Sequence, residues 1–151
     1  MPTLYMLIGV PGAGKSTWIK KQDHNAVVLS TDNYIEDYAA KNNTTYSAVF
    51  RDVVGTATNQ MNHDLQYALK NGKDIIWDQT NTTVKSRRDK LKKIPSSYRK
   101  VAVFFSIPPD LRERLAGRPG KFIPDAVLLN MINQLEPPTK AEGFDEIINA
   151  S

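Results

Sequence analysis

The 151-residue sequence contains no cysteine, which excludes disulfides and thiolate-bound metal. Its two histidines, His24 and His63, stand alone, and neither has metal-ligand spacing around it. His63 falls inside a helical pattern and reads as a structural residue rather than a base. No stretch approaches the ~20 apolar residues of a membrane span. The N-terminus lacks the pattern of a secretory signal, so a cytoplasmic protein is expected. Repeats, low-complexity tracts and obvious linkers are also missing, and one domain over residues 1–151 is the simplest organisation. A chain of this length buries roughly 68–70% of its unfolded surface, enough for a real core.

Charge is unevenly spread. The net charge is +4, yet residues 85–121 hold twelve Lys/Arg against three Asp/Glu, and the rest is acidic. A basic third on an acidic body points to a polyanionic partner, either nucleic acid or the phosphates of a nucleotide. The Lys90–Lys93 stretch also fits a plain solvated helix face.

Residues 9–16 read Gly9-Val10-Pro11-Gly12-Ala13-Gly14-Lys15-Ser16, the phosphate-binding pattern G-x-x-x-x-G-K-[ST] at every fixed position. Leu4–Ile8 before it reads as a buried parallel strand, and Thr17-Trp18-Ile19-Lys20-Lys21 after it opens a helix. In such a loop, successive backbone N–H groups and the helix start cradle an anion. Gly9, Pro11, Gly12, Ala13, Gly14, Lys15, Ser16 and Thr17 are therefore the candidate nucleotide-binding residues. Lys15 is expected at the β- and γ-phosphates of ATP, and the Ser16 hydroxyl on Mg²⁺.

Further apolar runs at Ala26–Leu29, Asp74–Trp77 and Val101–Phe105 alternate with helical segments. That alternation predicts an α/β fold, a parallel sheet with helices on both faces. Between Tyr46 and Leu69, apolar residues at i, i+3/i+4 spacing predict one long helix, capped by Thr44 or Thr45 and stopped by Asn71-Gly72. A basic helix begins near Thr83 and is broken at Pro95. Pro124 is placed as the first residue of a helix running to Leu135. The tail Ala141–Ile148 adds a short strand or turn.

Ligands of open α/β sheets bind at the carboxyl ends of the strands. Asp32 and Asp78 each follow a predicted strand at that rim. A carboxylate there can orient Mg²⁺ and its waters or accept a proton from an attacking hydroxyl. Either aspartate can instead cap the helix that follows it. Arg112, Arg114 and Arg118 precede Pro119-Gly120-Lys121, and the spacing puts Arg114 and Arg118 on one side of a lid spanning about 112–124. An arginine there can stabilise charge on a transferring phosphoryl group; a surface salt bridge is the plainer use, and Arg112 fits it best. Tyr34, Tyr38, Tyr46 and Phe50 follow Asp32 and could stack an acceptor base, although Phe50 fits core packing equally well.

With these residues in place, the chain resembles the kinase domain of phage-type polynucleotide 5′-hydroxyl kinases over nearly its whole length. The resemblance rests on the loop through Trp18, on Asp32-Asn33-Tyr34, on Asp78 with Thr80-Asn81, and on Arg114 and Arg118 before Pro124. The closing Glu142-Gly143-Phe144-Asp145-Glu146-Ile147 is similar to the end of related eukaryotic kinase domains. The resemblance implies a P-loop kinase fold with a small arginine-bearing lid, using ATP and Mg²⁺ on a DNA or RNA acceptor. It implies Lys15 and Ser16 as phosphate and Mg²⁺ residues and Asp32 as general base. Asp78 would organise the acceptor side, and Arg118, assisted by Arg114, would act from the lid. Asp32 and Asp78 are also candidates for the Mg²⁺ shell. A viral source would put the protein in the host cytoplasm.

One position departs from the pattern. The phage enzymes clamp the acceptor phosphate with an arginine three residues after the base, where this chain has Ile35; Arg51 or Arg87 is the candidate substitute. The D-x-D-x-T pattern of the phosphatase half is absent, so no 3′-phosphatase chemistry is expected. Three other readings compete: a DNA kinase acting on hydroxymethyl-pyrimidines within the polymer, a small-molecule kinase, and a nucleotide-binding module without transferase activity.

Overall fold

A computed structural model describes residues 1–22 and 25–150; His24 lies outside the described residues. Five strands form the sheet: β1 (Thr3–Ile8), β2 (Val27–Leu29), β3 (Ile75–Trp77), β4 (Arg99–Phe104) and β5 (Glu146–Asn149). Their order is β2-β3-β1-β4-β5, and every neighbouring pair is parallel. The tail thus supplies the edge strand.

Alternation along β1 sorts the two layers. Leu4, Met6 and Ile8 join one core with Leu29, Ile75 and Trp77. Tyr5 and Leu7 join the other, with Ile76, Val101 and Val103. The first layer is covered by the 25-residue helix α3 (Tyr46–Lys70), whose Met61, Leu65 and Ala68 pack into it. Thr45 caps α3 by accepting from the Ala48 amide, and Asn71 closes it, as the turn signals predict. The second layer is covered by α1 (Lys15–Lys20), through Trp18 and Ile19.

The N-terminal half of α3 leaves the sheet and packs on α2 (Thr31–Lys41). Ile35, Val53 and Ala57 form that separate cluster. Beyond β4, α5 (Leu111–Ala116) and α6 (Asp125–Gln134) close over the loop after β1, with Val10, Leu111 and Leu128 buried together. Pro124 is the cap residue of α6 rather than its first helical residue, a shift of one position. No helix of the described residues is long and apolar enough to cross a membrane.

Two sequence expectations fail around α4 (Val84–Leu91), the basic helix. Arg87 is fully buried and donates to both carboxylate oxygens of Glu142, at 2.8 and 3.1 Å. It also donates to the Asn81 carbonyl at 2.9 Å. With every nitrogen engaged inside the fold, Arg87 is not available to an acceptor phosphate. Lys90 is not solvated either: its ammonium donates to the Asn81 side-chain oxygen and lies 5.5 Å from the Trp77 ring centre. Burial lowers its pKa to about 8, helped by the nearby charges of Lys93 and Lys15. Lys92 and Lys93 are exposed as expected.

The Arg87–Glu142 pair ties α4 to the segment before β5. Burial works to raise the Glu142 pKa, but the hydrogen bonds from Arg87 and Thr139 outweigh it and hold the carboxyl below its ordinary 4.5. The pair therefore stabilises fully above that value and is lost as pH falls through the lower folded value. Arg87→Ala leaves a buried carboxylate unpaired and is expected to cost about 3–5 kcal/mol, read by urea unfolding at neutral pH. The difference should shrink as Glu142 is protonated in the parent, leaving what Arg87 contributes through packing and its bond to the Asn81 carbonyl.

Candidate functional site

The carboxyl ends of β1, β2 and β3 open into a cleft, and the loop after β1 forms its floor. Gly12 adopts φ +84°, and a Cβ there would lie 3.0 Å from Leu111 Cδ1 and 3.1 Å from Leu115 Cδ2. The positive φ favours glycine, and a side chain would also push the two leucine ends back by a few tenths of an ångström. Gly14 follows at φ +108° and leads into α1. A cavity of about 330 Å³ lies over this loop, lined by Gly12, Gly14, Lys15, Ser16 and Thr17. Pro11 lines it too, whereas Ala13 packs inward against Val10 and Leu7 and so shapes the loop from beneath. The Gly9 amide donates to the Thr80 carbonyl at 3.0 Å, locking the loop to the end of β3. The Lys15 ammonium folds back to donate to the Gly9 carbonyl at 2.7 Å.

Asp32 and Asp78 line the same cavity. Neither caps a helix. Ser30 caps α2 by accepting from the Asn33 amide at 3.1 Å, and Thr83 caps α4. Asp32, one residue into α2, accepts from the Tyr46 hydroxyl at 2.6 Å and from the Lys121 ammonium at 3.1 Å. Partial burial pushes its pKa up, but the hydrogen bond from Tyr46 and the charge of Lys121 more than offset this and hold it below the ordinary value. Tyr46 moves the opposite way, its hydroxyl pKa raised by burial and by the Asp32 hydrogen bond. Burial raises the Asp78 pKa against the opposing charge of Lys15, and Asp32 adds to the rise. Two carboxylates in one cleft thus have their affinities for protons pushed apart. Lys15 is lowered to about 8 by burial, which the charges of Asp78 and Asp32 only partly reverse.

Asp78 sits on a fixed rim. Asn81 holds a left-handed φ of +48° and is buried, a conformation asparagine tolerates better than most residues. Its side-chain amide donates to the Leu7 carbonyl at 2.8 Å, tying the 78–81 turn to β1. Arg87 and Lys90 grip the same residue from below.

The arginine segment lies across the cavity. Arg114 donates to the Gly12 carbonyl at 3.2 Å and pairs with Asp110 at 3.0 Å. Arg118 follows the end of α5, and both arginines line the cavity over the glycine loop although the helix stops between them. Arg112 is exposed and lines no cavity of the cleft. The next residues are pinned to α3: Ser47 N donates to the Gly120 carbonyl at 3.1 Å, and Phe122 N to Ser47 Oγ at 3.1 Å. Gly120 has φ +69°, and a Cβ would meet Thr45 at 2.9 Å.

Lys121 is the residue that sequence reasoning missed. Its ammonium bridges Asp32 and Glu36 (3.2 Å) and lies 4.4 Å from the Tyr46 ring centre. The only sequence signal was its place after Pro119-Gly120. A second cavity of about 480 Å³ adjoins the first, sharing Asp32, Asp78 and Lys121, and is lined by Tyr46, Phe50 and Phe122. Phe50 thus faces a cavity rather than the core. Tyr34 packs in the α2–α3 cluster instead, and Tyr38 is exposed on the surface. Ile35 is fully buried, and Arg51 lines neither cavity.

A family profile described as an AAA domain, AAA_33, matches residues 4–138. The chain belongs to that family. This AAA_33 domain is also similar to solved structures. One is a chain of the Pnkp1/Rnl/Hen1 RNA repair complex, at 26% identity and a TM-score of 0.66, over 89% of this chain and 44% of that one. A second structure of the complex matches at 23% identity and a TM-score of 0.55, over 75% and 38%. The chain therefore spans less than half of those relatives. A candidate kinase from Chloroflexus aurantiacus shares the fold at 18% identity and a TM-score of 0.64, over 99% of this chain and 84% of that one. The architecture is the α/β P-loop kinase fold.

Proposed function

We propose that this AAA_33 domain is an ATP-dependent kinase that transfers the γ-phosphoryl group to a hydroxyl of a polynucleotide, at its 5′ end. The observation that carries this reading is the meeting of two cavities at Asp32. One is built for phosphates, with Lys15, Arg114 and Arg118 around the glycine loop; the other is open to an acceptor. The similarity to a chain of an RNA repair complex supports a nucleic-acid acceptor.

In this reading Asp32 takes the acceptor proton as the oxygen bonds to the γ-phosphorus. The bond from that phosphorus to the bridging oxygen breaks, and ADP leaves. Asp32 is poised for this because its hydrogen bonds keep it ionised. Lys15 swings from the Gly9 carbonyl to the β- and γ-phosphates, and Arg118 with Arg114 stabilises charge on the transferring group. The Ser16 hydroxyl and the Asp78 carboxylate share the cavity and would be the hard-oxygen donors for Mg²⁺, with Asp32, engaged by Tyr46 and Lys121, left to the acceptor. Bound there, the ion would neutralise charge on the β- and γ-phosphates.

The buried Ile35 favours a second reading, transfer to a hydroxymethyl-pyrimidine inside DNA, because no arginine stands where the phage enzymes clamp the terminal phosphate. Labelled ATP tests both with three strands: a free 5′-hydroxyl, the same strand blocked at that end, and a blocked strand carrying hydroxymethyl-pyrimidines. Label on the first alone is expected; label on the third alone favours the second reading.

Lys15 gives the donor side its own test. Its charge is lost as pH rises through about 8, so nucleotide binding should take up a proton there. The ATP dissociation constant is expected to rise between about pH 7 and pH 9, by up to tenfold per unit above the Lys15 value. Lys15→Arg should flatten that dependence. A constant affinity across the range would remove Lys15 from the phosphates.

A further inference from the structure

We infer that the acceptor is held by its nucleobase, unstacked into the aromatic cavity between α3 and the 121–131 segment, rather than by its phosphates. The inference rests on the kinase reading above and adds what the acceptor site recognises.

The charge of the cavity decides against a phosphodiester. Of its lining residues only Asp32, Asp78 and Lys121 are charged. Two of the three are carboxylates. The third is already engaged with Asp32 and Glu36, and its side chain is only 11% exposed. A phosphate entering here would find only a cation that is already paired. A flat, uncharged ring meets no such penalty.

The walls suit such a ring. Tyr46 and Phe50 lie with ring centres 5.7 Å apart on α3, and Val54 continues the same wall. Phe122 lines the cavity from the other segment and is 77% exposed, and with the exposed Phe50 and Val127 on the same lining it makes an apolar patch rather than a lone surface residue. Its backbone is not free to withdraw, because its amide is bonded to Ser47 and Gly120 is wedged against Thr45. A volume of about 480 Å³ lies within the range of small-ligand sites. Thr31, Gln79 and Thr80 also line the cavity, with the Gln79 amide held between Trp77 and Thr31, a polar rim for the edge of a base. A base seated there carries its attached alcohol towards Asp32, where the two cavities join. The same chemistry serves the 5′-terminal base of a strand or a modified base turned out of one.

The test separates binding from transfer. Fluorescence anisotropy without ATP measures binding of a short strand with a free 5′-hydroxyl. It is compared with the same strand made abasic at that nucleotide, and with one whose first linkage is a neutral methylphosphonate. Loss of the base should weaken binding at least about tenfold, the scale of one base–aromatic stack, and the neutral linkage should change it far less. Phe122→Ala should weaken the normal strand and leave the abasic strand unaffected. If the loss appears only when an interior hydroxymethyl base of a blocked strand is replaced, the cavity takes a base turned out of the strand. Equal binding of the abasic strand, or a tenfold loss on neutralising the linkage, would overturn the inference. Base-dependent binding without any transfer would instead leave the cavity assignment standing and remove the kinase reading.

Discussion

Asp32→Asn is expected to lower phosphoryl transfer by about 10²–10⁴-fold, the range general bases contribute, with ATP affinity essentially unchanged. Asparagine keeps an oxygen that can accept from Tyr46 and Lys121, so the fold around α2 and α3 should survive. What it removes is the site for the acceptor proton. The Tyr46 hydroxyl at 2.6 Å and the Lys121 ammonium at 3.1 Å hold the carboxyl ionised. That makes Asp32 a weak base but one always in its working form at neutral pH. The acid limb that belongs to Asp32 should accordingly lie below the ordinary 3.8, beneath the limb of Asp78, whose raised pKa makes it protonate first. Tyr46→Phe removes one of the groups that lower the Asp32 pKa, so that acid limb should move upward. Single-turnover rates across pH measure both effects. A near-normal rate for Asp32→Asn would show that Asp32 is not the base.

Arg118→Ala is the other large effect, an expected loss of about 10³–10⁵-fold in transfer rate, the range seen for arginines that reach a transferring phosphoryl group. Arg118 lines the cavity over the glycine loop, and among the described residues no ion pair holds it. Arg114 has a different position. It is paired with Asp110 and bonded to the Gly12 carbonyl, so Arg114→Ala should cost less and act partly through the loop. Arg118→Lys should recover only part of the rate, because lysine carries the charge without the planar fork. Rapid-quench measurements at saturating ATP separate these outcomes from binding. Equal, modest losses at both positions would make the segment a structural cover.

Much of this was legible in the sequence because it rests on local rules. Apolar runs read as strands, and the 3.6 period of α3 with Thr45 and Asn71 at its ends read as one helix. The glycine loop announced itself through fixed positions whose backbone conformations favour glycine, as Gly12 shows. Asp32 and Asp78 were found because strands end in a shared rim. The rest depended on distant partners. Arg87 read as a candidate clamp for the acceptor phosphate until Glu142, 55 residues on, proved to be its buried partner. Lys90 sat in a charge run, and nothing local told that Trp77 and Asn81 lay over it. Lys121 acquires its role only when the segment after α5 is folded back on α3. Phe50 falls within the apolar period of α3, yet the helix leaves the sheet there, and the same period that buries Met61 opens Phe50 to a cavity.

We propose the meeting of the two cavities at Asp32 as the site of transfer to a polynucleotide hydroxyl. One single-turnover experiment tests it most directly: γ-labelled ATP and Mg²⁺ are mixed with the protein, with and without a strand bearing a free 5′-hydroxyl. Label on the strand and little free phosphate are expected. Label released as inorganic phosphate at the same rate with or without the strand, and none on the strand, would contradict it.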